Sequence, residues 1–197
     1  SLIVPEEFGG LGLSSTAYSR VLQELTRYDA SIVLTAGAHS SIGMRGLLLY
    51  GTEDQRKKYL PKLATGEMVA AFCLTEANAG SDAASLKTKA VQEGDNWILN
   101  GEKIWITNGG IADVHVIVAA VDPALKGRGQ ASFVVPPGTK GLSQGQKYKK
   151  HGIKASHTSE VVLDDVRIPG RCLLGGKEKL DAKLARAREA GRTDEAQ

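Results

Sequence analysis

The spacing of apolar residues along the chain changes period near residue 68. Before that point it is helical: Tyr18, Val21, Leu22 and Leu25 fall at i, i+3, i+4 and i+7, behind the cap candidates Ser14 and Ser15. A second helix is expected after Asp29, and Thr52 with Gln55 three residues on forms a capping box for a third. Pro61 should kink or restart that helix, and Gly66 should end it. From Met68 onward the runs 69–75, 86–92, 97–100, 103–107, 114–121, 131–135 and 160–163 are short and rich in β-branched or aromatic residues, which reads as strands. Glu93-Gly94-Asp95 and Asn100-Gly101 are turn signals between them. Many short strands without intervening helices suggest an antiparallel sandwich or barrel, not a parallel nucleotide-binding sheet. The expected fold class is therefore α+β: a helical segment over 1–67, a β-domain over 68–175 and a tail over 176–197. In that tail only Leu180 and Leu184 stand one turn apart, so it is expected to be a helix with little to bury, or mobile.

A chain of 197 residues, 42% hydrophobic and 24% charged, has the makings of an ordinary globular protein with a substantial core. Its net charge of +3 is too small to imply a nucleic-acid partner. Lys147, Lys149 and Lys150 cluster without an aromatic platform and read as a solvated surface run. Cys73 and Cys172 lie far apart, which indicates neither a disulfide framework nor a zinc site and makes a reducing compartment the default. His39, His115, His151 and His157 show no metal-ligand spacing, and His39 reads as a satisfied core residue. The apolar stretch 31–50 is long enough to span a membrane, but His39, Arg45 and three glycines within it argue for a buried helix.

Two patterns that look like chemistry have plainer readings. Gly9-Gly10-Leu11-Gly12 lacks dinucleotide spacing and reads as a turn. Gly141-Leu142-Ser143-Gln144-Gly145 satisfies the G-x-S-x-G pattern of a hydrolase elbow, which needs a strand before it and a helix after it. Here Pro136-Pro137-Gly138 precedes it and a lysine-rich run follows, so a surface loop is favoured. A serine esterase using Ser143 is kept as an alternative, as is a non-catalytic binding or assembly module.

The stretch from Ala71 to Asp82 carries more. An apolar strand pattern ends abruptly in a loop of small and hydroxyl residues, with Thr75 at its end, Gly80 removing a Cβ, and Ser81 and Asp82 as side-chain partners. Asp82 could equally cap the turn Ala83-Ala84-Ser85. A second strand pattern, Glu102-Lys103-Ile104-Trp105-Ile106-Thr107, closes in Asn108-Gly109-Gly110. Alternation along a strand places Trp105 and Thr107 on one face, an indole beside a hydroxyl, which suits a planar heterocycle. Trp, Ile and Thr are also simply good strand formers.

Together, Cys73-Leu74-Thr75-Glu76-Ala77-Asn78-Ala79-Gly80-Ser81-Asp82 and Trp105-Ile106-Thr107-Asn108-Gly109-Gly110 resemble the two flavin-binding segments of the acyl-CoA dehydrogenase family. Pro5-Glu6-Glu7-Phe8-Gly9-Gly10, Gly51-Thr52-Glu53 and Gly152-Ile153-Lys154-Ala155-Ser156 extend the likeness over nearly the whole chain, towards the long-chain and very-long-chain branch. Ala77 stands where the family has proline, which frees φ in that loop. The resemblance implies FAD as cofactor, held by Phe72, Cys73, Leu74, Thr75, Gly80, Ser81, Trp105, Ile106 and Thr107. Within that set Thr75 and Thr107 would bond the isoalloxazine, Trp105 would flank it, and Ser81 would also touch the substrate's CoA arm. It further implies a fatty acyl-CoA substrate oxidised to a trans-2-enoyl-CoA, an electron-transfer flavoprotein as acceptor, and a homodimer or homotetramer for the full-length enzyme. Anionic CoA could use the lysine cluster. The implied location is the cytoplasm in a bacterium or the mitochondrial matrix in a eukaryote. The family's catalytic glutamate belongs to a C-terminal helical domain that this sequence is not expected to contain. No residue here is assigned that role, Glu76 and Glu102 included, and the isolated chain is expected to be an inactive fragment.

Overall fold

The computed structural model describes the backbone of residues 1–195 and side chains as far as Gly191; Ala196 and Gln197 of the expected tail lie outside the described residues. The helical segment begins with α1 (Ser15–Thr26), whose first turn is capped by Ser14 accepting from Ala17 N. Asp29 caps α2 (Ala30–Gly37), which passes through a π-helical turn (Ala38–Gly43) into α3 (Arg45–Tyr50). The capping box at Thr52 and Gln55 opens α4 (Glu53–Thr65), and Gly66 closes it in the left-handed conformation, φ 83°. Pro61 does not break α4, which runs as one helix through it.

Seven strands follow: β1 (Ala70–Cys73), β2 (Lys89–Glu93), β3 (Asn96–Thr107), β4 (Val114–Ala120), β5 (Gln130–Val135), β6 (Leu142–Lys147) and β7 (Thr158–Pro169). They form one curled sheet in the order β1-β4-β2-β3-β7-β6, with β5 on β4. The sheet is mostly antiparallel, but β1 runs parallel to β4, and β2 meets the end of β4 in the same sense. A parallel pair needs a long crossover, and the chain between Cys73 and Val114 supplies one that carries β2 and β3.

Three further expectations are corrected. Asn100-Gly101 is not a turn: β3 continues through it opposite a bulge in β7 at Asp164 and Asp165, and at Gly101, φ 147°, a Cβ would lie 2.5 Å from Thr88 Oγ1. The tail is not idle, because α5 (Lys177–Glu195) buries Leu180 against the main core and packs Leu184 beside it. The stretch Ala30–Tyr50 is long and apolar enough to cross a membrane, yet it is not a buried helix, since only 22% of it is buried and Ile32, Leu34, Ile42 and Leu49 are exposed.

The core has three parts. The largest fills the inside of the curl with Ala71, Cys73, Leu99, Ile106, Ile117, Phe133, Val161 and Ile168. A second joins Met44 at the start of α3, Leu47 of α3 and Leu60 and Leu63 of α4 to Ala70, Val114 and Val134. A third, beneath the loop after β1, gathers Ala79, Leu86, Val118 and Ala120 against Phe72 and Leu74.

Candidate functional site

The end of β1 and the middle of β3, which the sequence pairs as motifs, meet in space. Ile104 N donates to Thr75 O at 2.9 Å, and Lys103 Nζ donates to Leu74 O at 3.0 Å. Both contacts lie where β3 bulges: Lys103 pairs with Val161 and Ile106 with Ser159, so β3 carries one residue more than β7. Trp105 sits in this bulge with φ 58°.

The bulge breaks the alternation between Lys103 and Trp105, while Trp105, Ile106 and Thr107 still alternate outward, inward and outward. Lys103 and Ile106, three apart, are both buried, so period two does not run through the segment. Trp105 is turned outward, 56% exposed, and stacks on Tyr148 with ring centroids 3.9 Å apart and planes at 21°. Tyr148 OH donates to Glu160 Oε1 at 3.0 Å, which fixes the ring that supports the indole.

The expected cofactor residues divide by surroundings. Cys73 and Ile106 face the main core, so only their main chain can reach a ligand. Burial pushes the Cys73 thiol up to about 12, and it stays protonated. Phe72 and Leu74 pack against Ala79 and Leu86 beneath the loop. Thr75 and Thr107 are half-buried, and among the described residues neither hydroxyl has a hydrogen-bond partner. Gly80 and Ser81 are exposed at the loop crest. A Cβ at Gly80 would meet nothing within 4 Å, so no contact inside the chain calls for glycine there. Asp82 does not cap the turn Ala83–Ser85 through its side chain, which accepts instead from Ser85 Oγ.

Lys103 is the feature that sequence reasoning missed. Its side chain is fully buried and pairs with Glu76 Oε1 at 2.7 Å. The two Glu76 oxygens also accept from Lys87 N at 2.6 Å and Thr88 N at 3.0 Å. Burial lowers the Lys103 pKa against the pull of Glu76. Burial alone would raise Glu76, but the bonds from Lys103, Thr88 and Lys87 bring it below the usual carboxylate range. A buried carboxylate committed to three bonds within the chain is poorly placed to take a substrate proton, in keeping with leaving Glu76 without a catalytic role.

The other candidates resolve plainly. Ser143 lies on the edge strand β6, which leads into the loop 148–157 and not into a helix, so there is no hydrolase elbow. His39 is satisfied at both ring nitrogens, by Leu63 O and Ala70 N. Lys147 and Lys149 are exposed as expected, whereas Lys150 braces the loop before β7 through Ser156 O and Thr158 Oγ1. Among the described residues no cluster of His, Cys, Asp or Glu could hold a metal.

An outward indole braced from behind, two unpartnered hydroxyls and a strand end open to main-chain contact form a surface suited to a flat, polar-edged heterocycle. Residues 1–67 match the family described as acyl-CoA dehydrogenase, N-terminal domain, and residues 71–166 match acyl-CoA dehydrogenase, middle domain. The chain is 49% identical over 181 residues to the very long-chain specific acyl-CoA dehydrogenase, mitochondrial, of Homo sapiens, covering 88% of this chain and 28% of that protein. Its fold is similar to acyl-CoA dehydrogenase complexed with FAD from Bacillus anthracis, with TM-score 0.81 and 39% identity over 96% of this chain and 32% of that one. It is also similar to butyryl-CoA dehydrogenase from Megasphaera elsdenii, with TM-score 0.85 and 36% identity over 96% of this chain and 51% of that one. The chain thus spans about a quarter to a half of the proteins it matches.

Proposed function

Because the chain belongs to the acyl-CoA dehydrogenase family, we propose that its β-domain holds FAD and serves in the oxidation of a fatty acyl-CoA to a trans-2-enoyl-CoA. The observation that carries this reading is the hydrogen bond from Ile104 N to Thr75 O, which joins both segments into one surface beside two hydroxyls that lack partners.

Bound FAD would supply the acceptor for the hydride that leaves the substrate's β carbon. The chain's own part is to bind and orient. Thr75 and Thr107 hydrogen-bond the polar edge of the ring system, and Trp105, held by Tyr148, covers one of its faces. The main chain of Phe72, Cys73, Leu74 and Ile106 lines the same surface, and Gly80 lets a ligand approach the loop. Ser81, at the exposed crest, serves both the cofactor and the CoA arm. Alignment of this kind is worth several orders of magnitude in rate before any proton moves. The base that takes the α proton is not assigned to this chain: Glu76 is occupied by Lys103 and two backbone N–H groups, and Glu102 is exposed.

Similarity to the very long-chain enzyme supports a long acyl chain as substrate. The acceptor of the electrons is proposed to be an electron-transfer flavoprotein, and the assembly a homodimer or homotetramer. The location follows the source, mitochondrial matrix or bacterial cytoplasm. Purification followed by measurement of bound flavin, then of flavin bleaching by palmitoyl-CoA in the intact enzyme, tests the proposal. Bleaching faster with palmitoyl-CoA than with butyryl-CoA is expected. Absence of flavin after reconstitution with FAD would overturn it.

A further inference from the structure

The two segments of the proposed flavin surface are joined at one buried point. Lys103 Nζ bonds Leu74 O and Glu76 Oε1, and the Glu76 carboxylate takes the N–H groups of Lys87 and Thr88. Those last two bonds close the loop whose crest is 77–82, and Glu76 and Ala79 bond each other's main chain at its start. Lys103 itself stands two residues before Trp105 on β3. One ion pair therefore fixes the end of β1, both feet of the loop and the entry to the bulge.

An ion pair at this depth is a poor source of stability, since an apolar pair of similar volume is commonly neutral or better. What it does provide is direction, because charge-assisted bonds to main-chain atoms define positions more sharply than apolar contact. With Lys103 at 0% and Glu76 at 8% exposure, neither side chain is placed to touch a ligand. We infer that Lys103 and Glu76 are positioning residues for the flavin surface, holding the 74–82 loop and the Trp105 bulge in register. The inference rests on the flavin reading above and adds the device that keeps the surface assembled.

The decisive variant is the double replacement Lys103→Met with Glu76→Met, which removes both charges and leaves an apolar pair. Three quantities are measured on the intact protein: the thermal midpoint without flavin, the FAD dissociation constant, and iodide quenching of the Trp105 indole. A positioning role predicts a midpoint close to wild type, FAD binding weaker by about tenfold or more, and altered quenching. Glu76→Gln keeps an acceptor for the loop N–H groups but leaves the buried Lys103 ammonium without its counter-charge, so its midpoint should fall below both while its FAD affinity and quenching lie between wild type and the double variant. If the double variant does not fold, Glu76→Gln decides by the same flavin and quenching readouts. FAD affinity and Trp105 quenching equal to wild type in a folded variant would overturn the inference alone. A wild-type protein that binds no FAD would overturn the flavin reading and this inference with it.

Discussion

Replacing Lys103 by methionine alone tests the physics of the buried pair without reference to any ligand. The change keeps most of the stem and removes the ammonium, leaving the Glu76 carboxylate buried with only Lys87 N and Thr88 N as donors. Breaking a buried pair from one side costs about 3–5 kcal/mol, and the two surviving donors point to the lower end, about 3 kcal/mol. The cost should also depend on pH. In wild type the folded pKa of Glu76 is below its unfolded value, so its contribution is present above the unfolded value and fades as pH falls through the folded one. In Lys103→Met the ammonium no longer opposes burial, and the folded pKa rises above the unfolded value of about 4.3. The carboxyl then favours folding at low pH and opposes it as pH rises through that folded value. The destabilisation is therefore largest near pH 8 and shrinks towards pH 5, by about 0.5 kcal/mol for a folded pKa one pH unit above the unfolded one and by more for a larger gap. Urea unfolding of both proteins from pH 5 to 8, extrapolated to water, reads the difference directly. A loss under about 1 kcal/mol, or one independent of pH, would refute the reasoning.

Thr107→Val should leave the flavin-free protein as stable as wild type, because its hydroxyl has no partner among the described residues, yet weaken FAD binding by about 1 kcal/mol, near fivefold; equal affinity in a titration would remove Thr107 from the site. Gly101→Ala should cost about 3 kcal/mol in urea unfolding, from a φ of 147° and a Cβ 2.5 Å from Thr88 Oγ1; a neutral result would mean that the backbone at Gly101 is not held against Thr88. Leu180→Ala should cost about 2–3 kcal/mol and open α5 to limited proteolysis; unchanged cleavage would restore the expectation of an idle tail.

The parts of the fold that were legible in the sequence are those set by local chemistry. Ser14, the Thr52 and Gln55 box and Gly66 mark helix ends through bonds and φ angles that span a few residues, and the structure places each as read. Asn100-Gly101 misled because a turn and a strand position pressed against a neighbour both call for glycine, and only the partners β7 and Thr88 distinguish them. β6 escaped notice because Leu142, Ser143, Gln144 and Gly145 have little strand propensity and the strand lies at the sheet edge. The two segments of the candidate site were legible as a pair, but the bulge that turns Trp105 outward was not. Its cause is tertiary: Lys103 is buried only because Glu76, 27 residues earlier, folds back to meet it. Tyr148 was missed for the same reason, since nothing near it in sequence shows that it supports the indole.

The proposed function turns on whether the outward face at Trp105 carries FAD. The chain has two tryptophans, and Trp97 is 5% exposed in the core against Phe133, whereas Trp105 is open. Titration of the flavin-free protein with FAD, followed by indole fluorescence in wild type and in Trp105→Phe, isolates that face. Saturable quenching at one FAD per chain in wild type, and its loss in Trp105→Phe, is the expected outcome. Equal quenching in both proteins, or none in wild type, would contradict the assignment of FAD to this face.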